Sequence, residues 1–534
     1  MIPIRSFIAS ILAAGLCGSA LHAQAAARPD LSLVSTRSFN LDTDEGTWIS
    51  LDVSPDGRSI VFDLLGDLYT LPIAGGTATQ LTKGMMYDAQ PRFSPDGKSV
   101  VFTSDRDGGD NVWTINVATG RATQVTKGKS NRYRSPEWTP DGQYIVVSRA
   151  PQPIGPSKPW MFHKDGGNGI QLVRDPAPLP NGAFPLSLVG AAFGSDDRYI
   201  WFAQRTGAWE YNAGFPQYQL VTVDRQTGRR DTRANLLGGA IRPALSPDGR
   251  YLAYGSRYEA QTGLRLRDFE SGDERWLAYP IQRDEQESVA SLDALPGFSF
   301  TPDSKAVILS YGGKIWRVPV DGAAPTAIPF RVQSQVEMGP KLAFNYRVSD
   351  SAEFIVRQIR DAVPSPDGKR LAFIAMDKLY LMDYPAGTPR RVTDTDGTEA
   401  QPAWSPDGQS IAWVSWTKSG GQVHRATAAG GRAVQLTQSR AMYSQPVWSP
   451  DASRIVVTRS PAQPALEEGG FSGAAELVWV PANGGRATLI APTGGRGGVH
   501  FAQDTARIYM YSGGSGLVSM RWDGTDERTH LRVT

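Results

Sequence analysis

Apolar residues along this chain fall in short runs, and a recurring polar corner separates one run from the next. The stretch RFSPDGKSVVFTS (92–104) shows the unit: an apolar segment, a Ser-Pro-Asp-Gly corner, then a second apolar segment. Ten such corners can be aligned. Six are complete, at Ser54 to Gly57, Ser94 to Gly97, Thr139 to Gly142, Ser246 to Gly249, Ser365 to Gly368 and Ser405 to Gly408. Four are worn: Gly194-Ser195-Asp196-Asp197, Thr301-Pro302-Asp303-Ser304, Ser449-Pro450-Asp451-Ala452 and Ala502-Gln503-Asp504-Thr505. Pro presets φ, the Asp carboxylate accepts from nearby backbone N–H groups, and Gly tolerates positive φ. The corners therefore read as hairpin turns, and the Asp common to all ten is a turn former, not a site residue.

Each corner is followed by a β-rich segment, as in SIVFDLL (59–65), YIVVSR (144–149) and SIAWVSW (410–416). A third segment ends in a Gly turn, as in DLYTLPIAGG (67–76) and NVWTINVATG (111–120), and a fourth is TATQLTKG (77–84), nearly repeated as RATQVTKG (121–128). Four short antiparallel strands per roughly 40 residues is the period of a β-propeller blade. Successive corners are 40, 45, 55, 52, 55, 64, 40, 44 and 53 residues apart. The expected fold is all-β, with about ten four-stranded blades. Because ten exceeds the usual four to eight in one ring, two rings are predicted. The widest gap sets the seam. A first propeller of six blades is expected over 26–328, a crossover segment over 329–362, and a second, small or incomplete ring of four blades over 363–534. An open second ring would expose a sheet edge.

The amino terminus changes the picture of location. Arg5 precedes an apolar run from Phe7 to Leu16, and Ala23-Gln24-Ala25 has the pattern of a signal-peptidase site. Residues 1–25 are expected to be a signal peptide cleaved after Ala25, which makes the mature protein periplasmic or secreted. No segment is long and apolar enough to predict a membrane span. Cys17, the only cysteine, follows Leu16, where a lipidation signal would place a small residue. It leaves with the signal, so disulfides and thiol catalysis are not expected. With 55 Lys+Arg against 53 Asp+Glu, charge is balanced and no nucleic-acid partner is predicted.

Candidate chemistry is sparse. His163, His424, His500 and His530 are isolated from one another, without His-x-His, HExxH or a Cys/His cluster, so no metal site is expected. Gly513-Gly514-Ser515-Gly516-Leu517 fails as a nucleophile elbow at its last position. Phosphate-binding glycine motifs are lacking, and no cofactor and no catalytic residue is predicted. Two features could bind a ligand. Polar residues recur just ahead of each innermost strand, at one mouth of a propeller channel: Asp88, Gln90, Arg134, Arg242, Arg360, Gln401 and Gln445. Loop ends beside a wet channel are also polar simply because water is near, and that reading takes precedence. An insertion at 150–185, read as leaving the third blade between its second and third strands, carries Trp160, Phe162 and His163 and could be a lid, a docking contact or a plain surface loop.

The corners and their flanks resemble the propeller repeats of TolB and the propellers of prolyl-oligopeptidase-type and tricorn-type peptidases. DEGTWISLDVSPDGRSIVFDLLGDLYTLPIAGGTATQLT (44–82), YDAQPRFSPDGKSVVFTSDRDGGDNVW (87–113) and VRQIRDAVPSPDGKRLAFIAMDKLYLMD (356–383) further resemble the TolB-like propeller region of large exported bacterial amidohydrolases. In that family a metal-dependent barrel with a His-x-His pair carries the hydrolysis of C–N (amide) bonds. This sequence holds no such barrel, so no catalytic residue transfers. Three functions remain open: a non-catalytic binding, gating or docking propeller whose partner is an amidohydrolase domain; a hydrolase with its site in the channel; and a TolB-like scaffold for another periplasmic protein.

Overall fold

The computed structural model describes residues 34–151, 155–175, 184–194, 198–207, 216–286, 293–341, 346–462, 474–502 and 506–532. The expected signal peptide lies outside the described residues, as do three of the four residues of each of the corners at 194–197 and 502–505.

The elements wholly within the described residues are β-strands, and they build ten four-stranded units in chain order beside one three-stranded sheet. Sheets one to six begin with Leu51–Val53, Ala89–Phe93, Arg132–Trp138, Leu188–Phe193, Ile241–Leu245 and Ser299–Phe300. Sheets seven to ten begin with Arg360–Pro364, Thr398–Trp404, Ala441–Trp448 and Arg496–His500. Sheets eight and nine are joined into one by the pairing of Gly421 with Ala441.

Eight corners lie within the described residues and explain the first hairpin of their sheets. Ser94 Oγ donates to Asp96 Oδ1 at 2.6 Å, the same oxygen accepts from the Lys98 N–H at 3.1 Å, and the hydroxyl accepts from the Ser99 N–H at 3.0 Å. Thr139 with Asp141, Ser365 with Asp367 and Ser449 with Asp451 repeat this pattern. The Ser94 hydroxyl and the Lys98 amide hold the Asp96 carboxyl below its ordinary range. These bonds tie up the carboxylate locally, which is why it recurs without chemistry.

Period-two alternation gives each sheet two apolar faces, and adjacent sheets pack those faces together. One core joins sheets one and two through Val61, Leu68, Phe93 and Phe102. Others join two to three, three to four, four to five and five to six. A sixth core, with Ile308 and Ile315 of sheet six against Leu51, Ile60 and Phe62 of sheet one, closes the circuit. The first strand of sheet one accordingly lies against those of both sheets two and six. Sheets seven to ten share three cores in an open series among the described residues. The first strand of the series is bare: four of the five residues of Arg360–Pro364 are exposed.

Two sequence expectations take definite form. The segment 329–362 is expected to cross between rings and add a strand, and its Phe330–Met338 strand is added to the six-sheet body. It pairs antiparallel with Arg37–Thr43, from Arg37↔Met338 to Thr43↔Val332, and parallel with Gly76–Thr77. The reason is apolar alternation: Phe330 and Val332 enter the core under sheet one, with Phe330 edge-on to Phe62 at 5.6 Å. Likewise, 150–185 is not simply an insertion. Lys158–His163 and Gly166–Gln171 are the third and fourth strands of sheet three. Phe162 is buried in the core, and Trp160 packs beneath Arg149 at 4.4 Å. Neither ring is presented by a lid; the flanking Pro and Gly residues disguised a strand.

Candidate functional site

The first strands of six sheets share one irregularity with a non-glycine residue at its centre. Pairing with the second strand slips by a residue between Ala89 and Arg92, Arg134 and Glu137, Ile241 and Ala244, Arg360 and Val363, Ala400 and Ala403, and Ser444 and Val447. Each slip is a β-bulge, which bends the strand and re-aims a side chain. At each bulge a non-glycine residue takes positive φ: Gln90 (58°), Ser135 (51°), Arg242 (48°), Asp361 (49°), Gln401 (52°) and Gln445 (54°). Such a conformation costs on the order of 1 kcal/mol or more and persists only where its surroundings enforce it.

Bonds between sheets do the enforcing. The Gln90 N–H donates to Asp63 Oδ2 at 2.8 Å, and the Ser135 N–H donates to Gln90 Oε1 at 2.7 Å. In the four-sheet group, the Gln401 N–H donates to Asp361 Oδ2 at 3.0 Å and the Gln445 N–H to Gln401 Oε1 at 2.6 Å. The side chain at one bulge thus receives the backbone of the next, and this relay gives Gln90 and Gln401 a structural task.

Within the six-sheet circuit these residues meet a buried set of charges. Arg92 reaches Asp52 at 3.2 Å, Glu137 at 3.2 Å and the Phe298 carbonyl at 3.0 Å. Arg242 pairs with Asp293, whose Oδ2 also accepts from Ser135 Oγ at 2.8 Å. Burial pushes the Asp63 carboxyl up to about 7, against the N–H bonds from Gln90 and Ser50. It pushes Glu137 up to about 7 as well, against the pull of Arg92. Desolvation lowers Arg242 despite Asp293, and lowers Arg134.

The sequence candidates therefore divide. Gln90 and Arg242 come together through Ser135 and Asp293, whereas Arg134, half-buried, takes the register position that Ala89 and Ile241 hold in their sheets. Asp88 is fully buried to one side, paired with Arg106 at 2.6 Å, and Arg106 lies over Phe102 and Trp113. Arg360 and Gln445 are exposed on the four-sheet group, with Gln401 half-buried between them. Trp160 and His163 lie apart on sheet three, His163 edge-on to Tyr144 at 5.5 Å. Sequence reasoning missed Ser135, Asp361, Asp63 and Asp293. Ser135 precedes Pro136 as Gln90 precedes Pro91, so the X-Pro register was a usable signal. Asp361 precedes Ala362, and Asp293 comes from a connection between sheets, so neither carried one.

On the same face, formed by the connections into each first strand and the turns between second and third strands, lies a pocket of about 710 Å³. Leu41, Leu64, Leu65, Ile281, Pro296 and Tyr311 supply its apolar wall, and Glu45 and Gln282 its polar groups. Among the described residues no group of three His, Cys, Asp or Glu side chains could hold a metal ion. His424 is held by packing on Trp413 and by Ser415 Oγ at 2.8 Å from its Nε2.

Ten four-stranded antiparallel units with hairpin corners define an all-β protein of the propeller class. Two segments match domain models of that class: residues 51–184 the tricorn protease N-terminal β-propeller domain, and residues 358–469 the TolB β-propeller domain. The chain is 25% identical over 314 residues to the uncharacterized protein Atu1656 of Agrobacterium fabrum, covering 53% of this chain and 85% of that protein. It is 30% identical over 127 residues to tricorn protease homolog 1 of Streptomyces coelicolor, covering 24% of this chain but only 11% of that one. TolB from Acinetobacter baumannii aligns with 16% identity over 55% of this chain and 67% of its own, at a TM-score of 0.39. No helix among the described residues is long and apolar enough to cross a membrane.

Proposed function

We propose that this is an exported, non-catalytic binding propeller whose working surface is the face opposite the Asp-Gly corners of the six-sheet circuit. Two propeller units, divided between residues 339 and 359, fit this reading. The observation that carries it is the convergence on one face of the buried polar bulges and the 710 Å³ pocket. Loops on a rigid scaffold are where binding concentrates. Leu65 and Tyr87, each more than half exposed, add apolar contact area there. The partner is a protein of the same compartment, either a hydrolase domain of the amidohydrolase type or another periplasmic protein.

A photo-crosslinker placed at Tyr87, compared with one at Lys98 beside a corner on the opposite face, tests this in the native host. Discrete protein adducts from position 87 and none from position 98 are expected. Adducts in equal yield from both, or from neither, would remove the channel face as the working surface.

A further inference from the structure

A pocket of about 470 Å³ opens at one corner of sheet ten, beside the turn between its third and fourth strands. Ala506, Arg507, Arg521, Trp522, Asp523 and Arg528 line it. Strand register brings the three arginines together. Arg507, which opens the second strand (Arg507–Ser512), lies directly across from Arg521, which closes the third (Gly516–Arg521). Arg528 opens the fourth strand opposite Ser519. All three guanidinium groups reach one carboxylate oxygen, Asp526 Oδ2: Arg507 Nη1 at 2.8 Å, Arg528 Nη2 at 2.7 Å and Arg521 Nε at 3.5 Å.

The three are not equivalent. Arg507 is 5% exposed; its Nε donates to Ser519 Oγ at 2.8 Å, and its Nη2 donates to the Ser519 carbonyl at 3.1 Å and to the Asp526 carbonyl. It is a fixed wall. Arg528 sets Nε and Nη2 on the two oxygens of Asp526, and its Nη1 has no acceptor among the described residues. Arg521 turns only Nε toward Asp526, and neither of its terminal nitrogens has an acceptor among the described residues. Both side chains are more than half exposed, so water can serve these donors but cannot cancel their charge. Three guanidinium groups face Asp526 and, at the rim, Asp523, whose Oδ1 accepts from the Thr525 N–H at 3.0 Å and its hydroxyl at 2.6 Å. Glu527, the other acid of the turn, is paired with Arg496 at 2.6 Å. A positive charge is left over, and a concave surface with an excess of one sign gathers ions of the other. The free nitrogens sit on two guanidinium groups from separate strands, and Asp526 already fills the planar fork of Arg528. A tetrahedral oxyanion, with acceptor oxygens in several directions, fits such donors better than a second planar carboxylate. Trp522, stacked on Phe501 at 5.5 Å, makes a rigid side wall, and the pocket is larger than a bare phosphate ion requires.

We propose that this corner of sheet ten is a binding site for a phosphate group, with Arg521 and Arg528 as its contacts and Arg507 as the buried anchor that holds Asp526, and through it Arg528, in position. The phosphate is either the free ion or a monoester on a small organic molecule. The site belongs to the four-sheet group and needs no protein partner, so it stands or falls independently of the surface proposed on the six-sheet circuit.

The test is calorimetric titration of the purified chain with sodium phosphate, with glucose 6-phosphate and with sodium acetate, at ionic strength held constant with sodium chloride. Saturable one-site binding of phosphate or glucose 6-phosphate is expected, with acetate weaker by about tenfold or more. Tighter binding of glucose 6-phosphate assigns a monoester; equal or tighter binding of phosphate assigns the free ion. Arg521→Gln and Arg528→Gln are each expected to weaken binding by about tenfold, and the two together to abolish it. Lys98→Gln, on sheet two, should leave it unchanged. Circular dichroism confirms that each variant is folded. Absence of saturable binding by both phosphate compounds, binding unaltered in the double variant, or acetate bound as tightly as phosphate would overturn the proposal.

Discussion

Gln90 and Gln445 occupy equivalent bulges, share the same left-handed backbone and precede a proline, yet one is 2% exposed and the other lies open. Truncating Gln90 to Ala leaves the buried Ser135 N–H without an acceptor, a loss of about 1–3 kcal/mol. Gln445→Ala should stay within about 0.5 kcal/mol of the parent, as surface substitutions do. Urea unfolding of the two variants measures the contrast, and equal losses would refute it. The buried carboxyls give a pH dependence. Burial raises Asp63 and Glu137 to about 7, so the folded state keeps their protons to higher pH than the unfolded chain. The stability tied to them is complete below about 4 and is lost as pH rises from there toward about 7. Glu137→Gln should therefore flatten the fall in unfolding free energy between about pH 5 and 7. An unchanged slope would mean that Arg92 keeps Glu137 charged.

Strands and corners were legible at the scale of the element because their signals are local. Ser-Pro-Asp-Gly forms its own hydrogen bonds, and alternation fixes which side chains turn inward. The Lys158–His163 strand was misread because its apolar residues sit between Pro and Gly clusters that usually mark loops, and only burial against Tyr133 and Ile145 revealed it. The candidate site was half legible. Polar residues before proline stand out in the sequence, but whether such a residue lines a channel or ties two sheets together depends on partners such as Asp63 and Asp293, which lie 27 and 158 residues from those they contact. The Phe330–Met338 strand gives a direct test. Phe330→Ala removes an aromatic ring from the core under sheet one and should cost about 3–5 kcal/mol. A denaturation midpoint near that of the parent would show that this strand is peripheral to stability.

For the whole molecule, the difference between six cores closing a circuit and three cores in open series should appear as a difference in local stability. Hydrogen exchange read by mass spectrometry is expected to be fast in the first strand of sheet seven (Arg360–Pro364), which is largely exposed. It should be slow in the first strand of sheet one (Leu51–Val53), which is fully buried. Similar protection of the two would mean that the open end is covered in solution.

The pairing of Arg37–Thr43 with Phe330–Met338 also sets an order of events. Arg331 binds Asp42 across 289 residues of chain. Until residue 338 is available, Phe62 and Tyr69 of sheet one have no Phe330 or Val332 to cover them. Within the six-sheet circuit the earliest sheet to be made is thus the last to be finished, and such non-local closure is slow. A newly made chain carries an apolar surface near its beginning until residue 338 has followed, so the protein's hazard is set by how long holdases or proteases can reach that surface before the two strands meet.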